Sequence, residues 1–151
     1  MKNKINVTTL DEKIINSVRL LANKMITKAG SGHPGIALGA APALFELYAN
    51  QMILDPKNPN FENRDRFVLS AGHGSALLYS MLHTAGFTIT GEDLAAFRQF
   101  GSITPGHREG NVKPALEATT GTLGQGLGMA VGLAMDDGKL HPQFPNVIDH
   151  Y

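Results

Sequence analysis

The chain has 151 residues, of which 42% are hydrophobic, so it is long and apolar enough to form one domain with a sizeable core and is not a disordered chain. Lysine plus arginine and aspartate plus glutamate both number 13, so a neutral net charge gives no reason to expect a nucleic acid or an anionic membrane as partner. The absence of cysteine excludes disulfides, thiolate metal sites and a cysteine nucleophile. The N-terminus is polar and no apolar run could span a bilayer, which predicts a cytoplasmic protein.

Two helices are predicted in the first third of the chain. Thr9 with Glu12 forms a capping-box pattern, apolar residues then recur at helical spacing, and Gly30 is a natural helix end. His33, in the sequence Ser-Gly-His-Pro-Gly, is therefore expected just beyond a helix C-terminus. The second helix is predicted over about 41–53.

A strand, a turn and a helix are predicted next. Residues 67–69 form a short apolar run that is typical of a buried strand, and residues 76–82 look helical. His73 lies between them in Ser-Ala-Gly-His-Gly-Ser. Because ligands of open α/β sheets bind at the carboxyl ends of strands, this turn is a candidate binding site.

Another capped helix is predicted from Thr90 and Asp93 to about Gln99. Residues 100–118 show no periodicity and contain frequent glycine and proline, which indicates a long loop. His107 lies in this loop, in Thr-Pro-Gly-His.

The last predicted helix covers about 123–135 and is ended by residues 136–138, and a strand is expected to begin at 147–148. Several glycines within this helix each cost about 1 kcal/mol relative to alanine, which predicts the close approach of a neighbouring helix or a ligand. These glycines are Gly124, Gly126, Gly128 and Gly132.

Three glycine-flanked histidines in one short chain suggest a polar ligand held by several imidazoles. Taken alone, His33 is better explained as a helix-terminal residue bonded to a carbonyl, and the alternative for His107 is a solvent-exposed loop residue. His73 has the strongest functional context because of its predicted turn between a strand and a helix. The other three histidines are expected to be structural or exposed, and no pair has the spacing of a helical metal site.

The charged residues are expected to be structural. Glu117 is predicted to cap a helix or face solvent, and Arg64, Asp65 and Arg66 are predicted to form a surface or interface cluster.

Taken together and in order, these motifs resemble the transketolase family from about Asp11 to the end of the chain. The resemblance implies an α/β thiamine diphosphate-binding fold, with a parallel sheet flanked by helices. Residues 1–151 would be the N-terminal part of the diphosphate-binding domain, incomplete at its C-terminal end because the family's Gly-Asp-Gly metal motif does not appear. The motifs are Ser-Gly-His-Pro-Gly, Arg-Asp-Arg-Phe-Val-Leu-Ser-Ala-Gly-His-Gly-Ser, Phe-Arg-Gln, Thr-Pro-Gly-His, Thr-Thr-Gly-Thr-Leu-Gly-Gln-Gly and Ile-Asp-His-Tyr.

Transketolases move a two-carbon ketol unit between sugar phosphates in the pentose phosphate pathway, as homodimers that use thiamine diphosphate and Mg²⁺ or Ca²⁺. By resemblance, His33 and His107 are catalytic and substrate-binding, and this chain holds no metal ligand. The resemblance also assigns cofactor-binding residues, and these are His73, Gly121, Thr122 and Leu123.

The sequence departs from the family pattern at two positions, because Thr122 and Arg108 stand where proline is usual. The resemblance predicts a transketolase fragment that is inactive alone, since the metal motif and the activating glutamate of the second domain are missing. A subunit of a split transketolase-like enzyme, a dihydroxyacetone synthase and a non-catalytic binding module remain as alternatives.

Overall fold

The computed structural model describes residues 8–107, 117–118, 120–140 and 142. Within these residues all regular structure is helical. The elements are α1 (Thr9–Ala29), α2 (Pro34–Gly39), α3 (Ala41–Glu46), a π-helical turn (Leu47–Gln51), a 3₁₀ turn (Gly72–Gly74), α4 (Ser75–Thr84), α5 (Gly91–Ala95) and α6 (Gln125–Leu140). None of these described helices has the length and apolar character that crossing a membrane requires.

The N-cap of helix α1 is Thr8, one residue before the predicted cap Thr9. The Thr8 hydroxyl accepts the backbone N–H of Asp11 at 3.2 Å, and the Asp11 carboxylate accepts that of Thr8 at 2.8 Å. The predicted capping box of Thr9 and Glu12 has the same three-residue spacing, and the structure forms the box one residue earlier, between Thr8 and Asp11. Gly30 ends the helix as predicted, with a left-handed φ of 62°.

The second predicted helix is divided in the structure. Helix α2, which the sequence analysis missed, directly follows His33, and α3 begins at Ala41 as expected. From Leu47 the hydrogen bonding changes to the wider π-helical pattern and ends at Gln51, two residues before the predicted end. The short α2 is started by Pro34, whose fixed φ suits a first helical position.

Helix α4 lies at the centre of the core. All its residues from Ser75 to Leu82 are buried, and it packs against α1, α3 and α5. The ring of Tyr79 meets that of Phe97 edge to face, with centroids 6.3 Å apart. Because a helix that is buried all round must be covered on every side, α4 fixes the places of its neighbours and of the loops between them.

The predicted strand at 67–69 is an extended segment without a ladder in the described residues. Its backbone bonds are isolated: the N–H of Glu117 donates to the Phe67 carbonyl at 3.4 Å, and the Thr120 hydroxyl donates to the Leu69 carbonyl at 2.5 Å. A strand needs a regular series of bonds to a neighbour, and the described part of the chain supplies none. The parallel sheet is therefore not seen there, and the second expected strand, at 147–148, lies outside the described residues.

The predicted surface or interface charge cluster is corrected at Arg64, which is buried, whereas Arg66 is exposed. Its guanidinium forms a two-pronged ion pair with Glu117, with one contact of 3.0 Å between Nη2 and Oε2. Glu117 therefore does not cap a helix or face solvent. The ion pair therefore links Arg64, three residues before the extended segment 67–69, to Glu117, three residues before Thr120.

Two other predicted helix ends were wrong. Helix α5 ends at Ala95 rather than near Gln99, and α6 continues to Leu140, through the predicted stop at 136–138.

Three apolar side chains at helical spacing along α6 remain more than half exposed: Leu127, Val131 and Met135.

Candidate functional site

The loop that carries His33 is shaped by two glycines. Gly30 turns the chain out of α1, and Gly32 follows with a φ of 149°. A Cβ atom on Gly32 would lie 2.8 Å from Cγ1 of Ile26, so the loop folds directly onto the end of α1. His33 is then the residue before α2, and its side chain is exposed.

The loop that carries His73 is a 3₁₀ turn that leads into α4. His73 is half-buried, and Gly74 receives the side chain of Ile36, whose Cδ1 would lie 3.1 Å from an added Cβ. This contact between Ile36 and Gly74 holds α2 against the turn. As a result, the rings of His33 and His73 meet edge to face, with centroids 5.1 Å apart.

The glycine-rich segment packs on the same turn. A Cβ on Gly72 would lie 2.5 Å from the carbonyl oxygen of Thr120, so only glycine permits this approach. A Cβ on Gly126 would lie 2.5 Å from Cα of Ser70, so the first turn of α6 is equally close to the segment before His73. The predicted approach of a helix or a ligand to the α6 glycines is therefore corrected: Gly126 meets the non-helical residue Ser70, and a Cβ on Gly124, Gly128 or Gly132 would meet nothing within 4 Å.

The three segment residues assigned to the cofactor, Gly121, Thr122 and Leu123, are all exposed. The Thr122 carbonyl accepts the N–H of Gln125 at 3.2 Å, which forms the turn into α6. Gly121 has nothing within 4 Å of a built Cβ. The segment therefore presents open backbone beside the His73 turn.

His107 lies in a separate loop and is exposed. The Ser75 hydroxyl donates to the Gly106 carbonyl at 2.6 Å and so ties this loop to the start of α4. Within the described residues His107 contacts neither His33 nor His73, and Arg108 lies outside them. His107 instead lines an open cavity of about 520 Å³, whose other lining residues are Arg98, Gln99, Phe100, Pro105 and Gly106.

The described part of the chain contains no cluster of three or more histidines or carboxylates that could hold a metal ion. His83, expected to be structural or exposed, is partly buried, and its Nδ1 lies 2.6 Å from the Ile89 carbonyl oxygen. The site is therefore made of imidazoles, hydroxyls and backbone groups, which suit a ligand with hydroxyl groups.

Sequence reasoning missed Arg98 as part of this region. Its Nη1 donates to Oγ of Ser31 at 2.5 Å, which joins the loops of His107 and His33. Arg98 stood out only as a member of the Phe-Arg-Gln motif, and no periodicity or spacing marks a bond between residues so far apart in the chain.

Comparison with known proteins agrees with these motifs. Residues 10–151 match the family model described as transketolase, thiamine diphosphate binding domain. Transketolase of Bacillus subtilis is 52% identical over 147 residues, which cover 95% of this chain and 22% of that protein. Transketolase of Aquifex aeolicus is 53% identical over 146 residues, which cover 94% of this chain and 21% of that protein.

Solved structures give the same result. Transketolase from Leishmania mexicana superposes with a TM-score of 0.89 at 45% identity, over 97% of this chain and 22% of that one. A Pichia stipitis transketolase in complex with sedoheptulose 7-phosphate gives a TM-score of 0.89 at 47% identity, over 95% of this chain and 22% of that one. This chain thus spans about a fifth of the length of these relatives. From its sequence and its fold alike, the chain belongs to the transketolase family and corresponds to part of the thiamine diphosphate-binding domain.

Proposed function

We propose that this chain forms one wall of a thiamine diphosphate-dependent ketol-transfer site that acts on sugar phosphates. The observation that carries the proposal is the contact between the rings of His33 and His73, 5.1 Å apart, beside the glycine-rich segment packed on Gly72. The relative from Pichia stipitis was solved with sedoheptulose 7-phosphate, which is a ligand of the proposed substrate class.

The residues present suit thiamine diphosphate. The cofactor needs backbone groups that approach it closely and a few polar side chains. The open backbone at Gly121 and the half-buried His73 supply these. When bound, thiamine diphosphate would supply the nucleophilic carbon and the electron-accepting ring that ketol transfer requires. We assign its binding to His73, Gly121, Thr122 and Leu123.

We assign His33 and His107 to the substrate. A neutral imidazole both donates and accepts a hydrogen bond, so it can hold a sugar hydroxyl and take or return that hydroxyl's proton. The contact of His33 with His73 supports a role for His33 at the boundary between cofactor and sugar. His107 lies on the open cavity, where its role is to orient the sugar.

In the whole enzyme we expect the extended segment 67–69 to join a parallel sheet flanked by helices. Its side chains are half-buried, and the Phe67 carbonyl already accepts one backbone bond from Glu117. We also propose that the divalent metal is held by other parts of the enzyme, that two subunits assemble, and that the enzyme is cytoplasmic. The chain alone is accordingly expected to catalyse no ketol transfer.

The proposal is tested by titrating the 151-residue chain with thiamine diphosphate and Mg²⁺ while recording amide and imidazole NMR signals. We expect shifts at His73 and at residues 121–123, and an affinity about tenfold or more weaker in His73→Ala, since a bond to a charged group contributes about 1.5–3 kcal/mol.

His107→Ala is the matched control, because it removes an imidazole that we assign to the sugar rather than to the cofactor. It should leave the affinity for thiamine diphosphate unchanged. An absence of shifts in the unsubstituted chain, or an equal loss in both variants, would contradict the assignment. Ketol transfer by the chain alone would show the expected inactivity to be wrong.

A further inference from the structure

Arg98 bridges the loops that carry His33 and His107. Its Nη1 donates to Oγ of Ser31 at 2.5 Å, and its own backbone N–H donates to the carbonyl of Thr104 at 3.0 Å. One residue therefore holds the chain just before His33 with its side chain and the chain just before His107 with its backbone.

The guanidinium of Arg98 is seated between two surfaces. Its Cζ lies 5.6 Å from the centroid of the Phe97 ring, and its Nε would lie 2.6 Å from a Cβ built on Gly106. Only glycine at 106 leaves room for this close approach, so the His107 loop packs directly on the guanidinium. In the described part of the chain no carboxylate pairs with Arg98, and its buried Nε has no hydrogen-bond partner.

The backbone of Arg98 is strained. Its φ is 62°, and it is the one non-glycine residue with a positive φ among those described. Glycine would adopt this conformation without the steric cost that a Cβ brings. The conformation of the turn therefore does not explain why residue 98 is an arginine, whereas the contacts of its guanidinium do explain it.

We propose that Arg98 is a positioning residue that sets the separation between His33 and His107. The inference rests on the proposed function, in which both imidazoles face the same sugar. The Ser75–Gly106 bond completes the arrangement, because it ties the His107 loop to the helix that begins beside His73. Arg98 and the Ser75–Gly106 bond together link three loops that come from separate parts of the sequence.

The test uses the 151-residue chain without cofactor, in the variants Arg98→Ala, Arg98→Gly and Ser31→Ala. We expect the order parameters of residues 102–107 to fall from about 0.85 to below about 0.6 in both Arg98 variants. Nuclear Overhauser contacts between Ser31 and residue 98 should be lost in Arg98→Ala and in Arg98→Gly. Ser31→Ala should release the His33 loop from the His107 loop while it leaves the backbone strain in place.

Arg98→Gly distinguishes the effect of losing the guanidinium from the effect of the backbone strain, because it removes the side chain and also relieves the strain of the positive φ. We expect its thermal midpoint to equal or exceed that of Arg98→Ala while the His107 loop stays mobile. The contact between the His33 and His73 rings should persist in every variant, since Ile36 seats on Gly74 independently.

Arg66→Ala is the matched control, since Arg66 is exposed and its side chain donates to the Glu62 carbonyl at 3.1 Å, away from these loops. The inference is overturned if residues 102–107 stay ordered in both Arg98 variants, or if Arg66→Ala loosens them equally. Failure of the chain to bind thiamine diphosphate would count against the proposed function alone, because the loop order is measured without it.

Discussion

The imidazoles of His33 and His73 meet at an interplanar angle of 68°, although they lie in loops that follow different elements. Neither loop alone specifies a site, because a site needs groups from both loops to lie close together. The contact between the two rings depends on the packing of Ile36 on Gly74, which holds α2 against the turn before α4. The packing of the core therefore brings the two histidines together.

Gly72→Ala should displace the glycine-rich segment. The new Cβ would lie 2.5 Å from the carbonyl oxygen of Thr120 and 2.9 Å from its Oγ1, and backbone atoms cannot swing aside as a flexible side chain can. Such overpacking costs about 1–3 kcal/mol of unfolding free energy. Chemical denaturation followed by circular dichroism measures this loss, and NMR shifts at residues 120–123 locate it.

Gly91→Ala provides the control for that substitution. Gly91 begins α5, its φ is not positive, and a Cβ there would have nothing within 4 Å. Stability should be unchanged or slightly raised. Equal destabilisation by the two alanines would show that the contact with Thr120 is not the cause.

Two glycines on α6 should respond to alanine in opposite directions. A Cβ on Gly126 would lie 2.5 Å from Cα of Ser70, so Gly126→Ala should destabilise the chain by about 1–3 kcal/mol. A Cβ on Gly128 would meet nothing within 4 Å, so Gly128→Ala should stabilise it by about 1 kcal/mol through helix propensity. Thermal melts of the two variants give the sign directly, and a loss of stability in Gly128→Ala would contradict the open environment.

Local signals in the sequence predicted most of the helices. The capping pair of Thr90 and Asp93 is present as predicted, with the Asp93 N–H donating to the Thr90 hydroxyl at 3.1 Å. The positions of α1 and α4 also followed from apolar spacing. These features depend on contacts three or four residues apart, which a sequence pattern records.

The failures come from contacts between distant segments. A short apolar run such as 67–69 predicts burial, but a strand also needs a partner, which periodicity does not reveal. Arg64 stands between two other charged residues, so it looked like part of a solvated surface, whereas its partner Glu117 lies 53 positions away in the sequence. Arg98 escaped notice for the same reason.

The stability of the π-helical turn should depend on pH through Glu46. The side-chain amides of Gln51 and Asn50 donate to its carboxylate at 2.8 and 2.7 Å and hold the pKa of Glu46 below its ordinary value of 4.5. Because the folded state has the lower pKa, the stabilisation is present above 4.5 and is lost as the pH falls through the folded pKa.

Glu46→Gln should therefore lower the thermal midpoint slightly at neutral pH, and the difference should vanish in acid. Glu62→Gln is a control at another exposed carboxylate of the chain. A difference for Glu46→Gln that persists unchanged at low pH would show that the charge of Glu46 is not responsible.

The ion pair between Arg64 and Glu117 should be strongly coupled. Their side chains are only 10% and 14% exposed, so removing one partner leaves the other charge nearly buried and unpaired. Arg64→Met or Glu117→Leu should each cost about 3–5 kcal/mol of unfolding free energy. The double variant Arg64→Met/Glu117→Leu should recover most of that loss, because neither charge then remains to be desolvated. Chemical denaturation of the single and double variants measures the coupling.

Arg66→Ala, at an exposed position, is the control and should stay within about 0.5 kcal/mol of the unsubstituted chain. Losses that simply add in the double variant would mean that the two side chains act independently. Strong coupling would instead show that the Arg64–Glu117 pair fastens the chain before His73 to the chain that brings Thr120 onto Gly72.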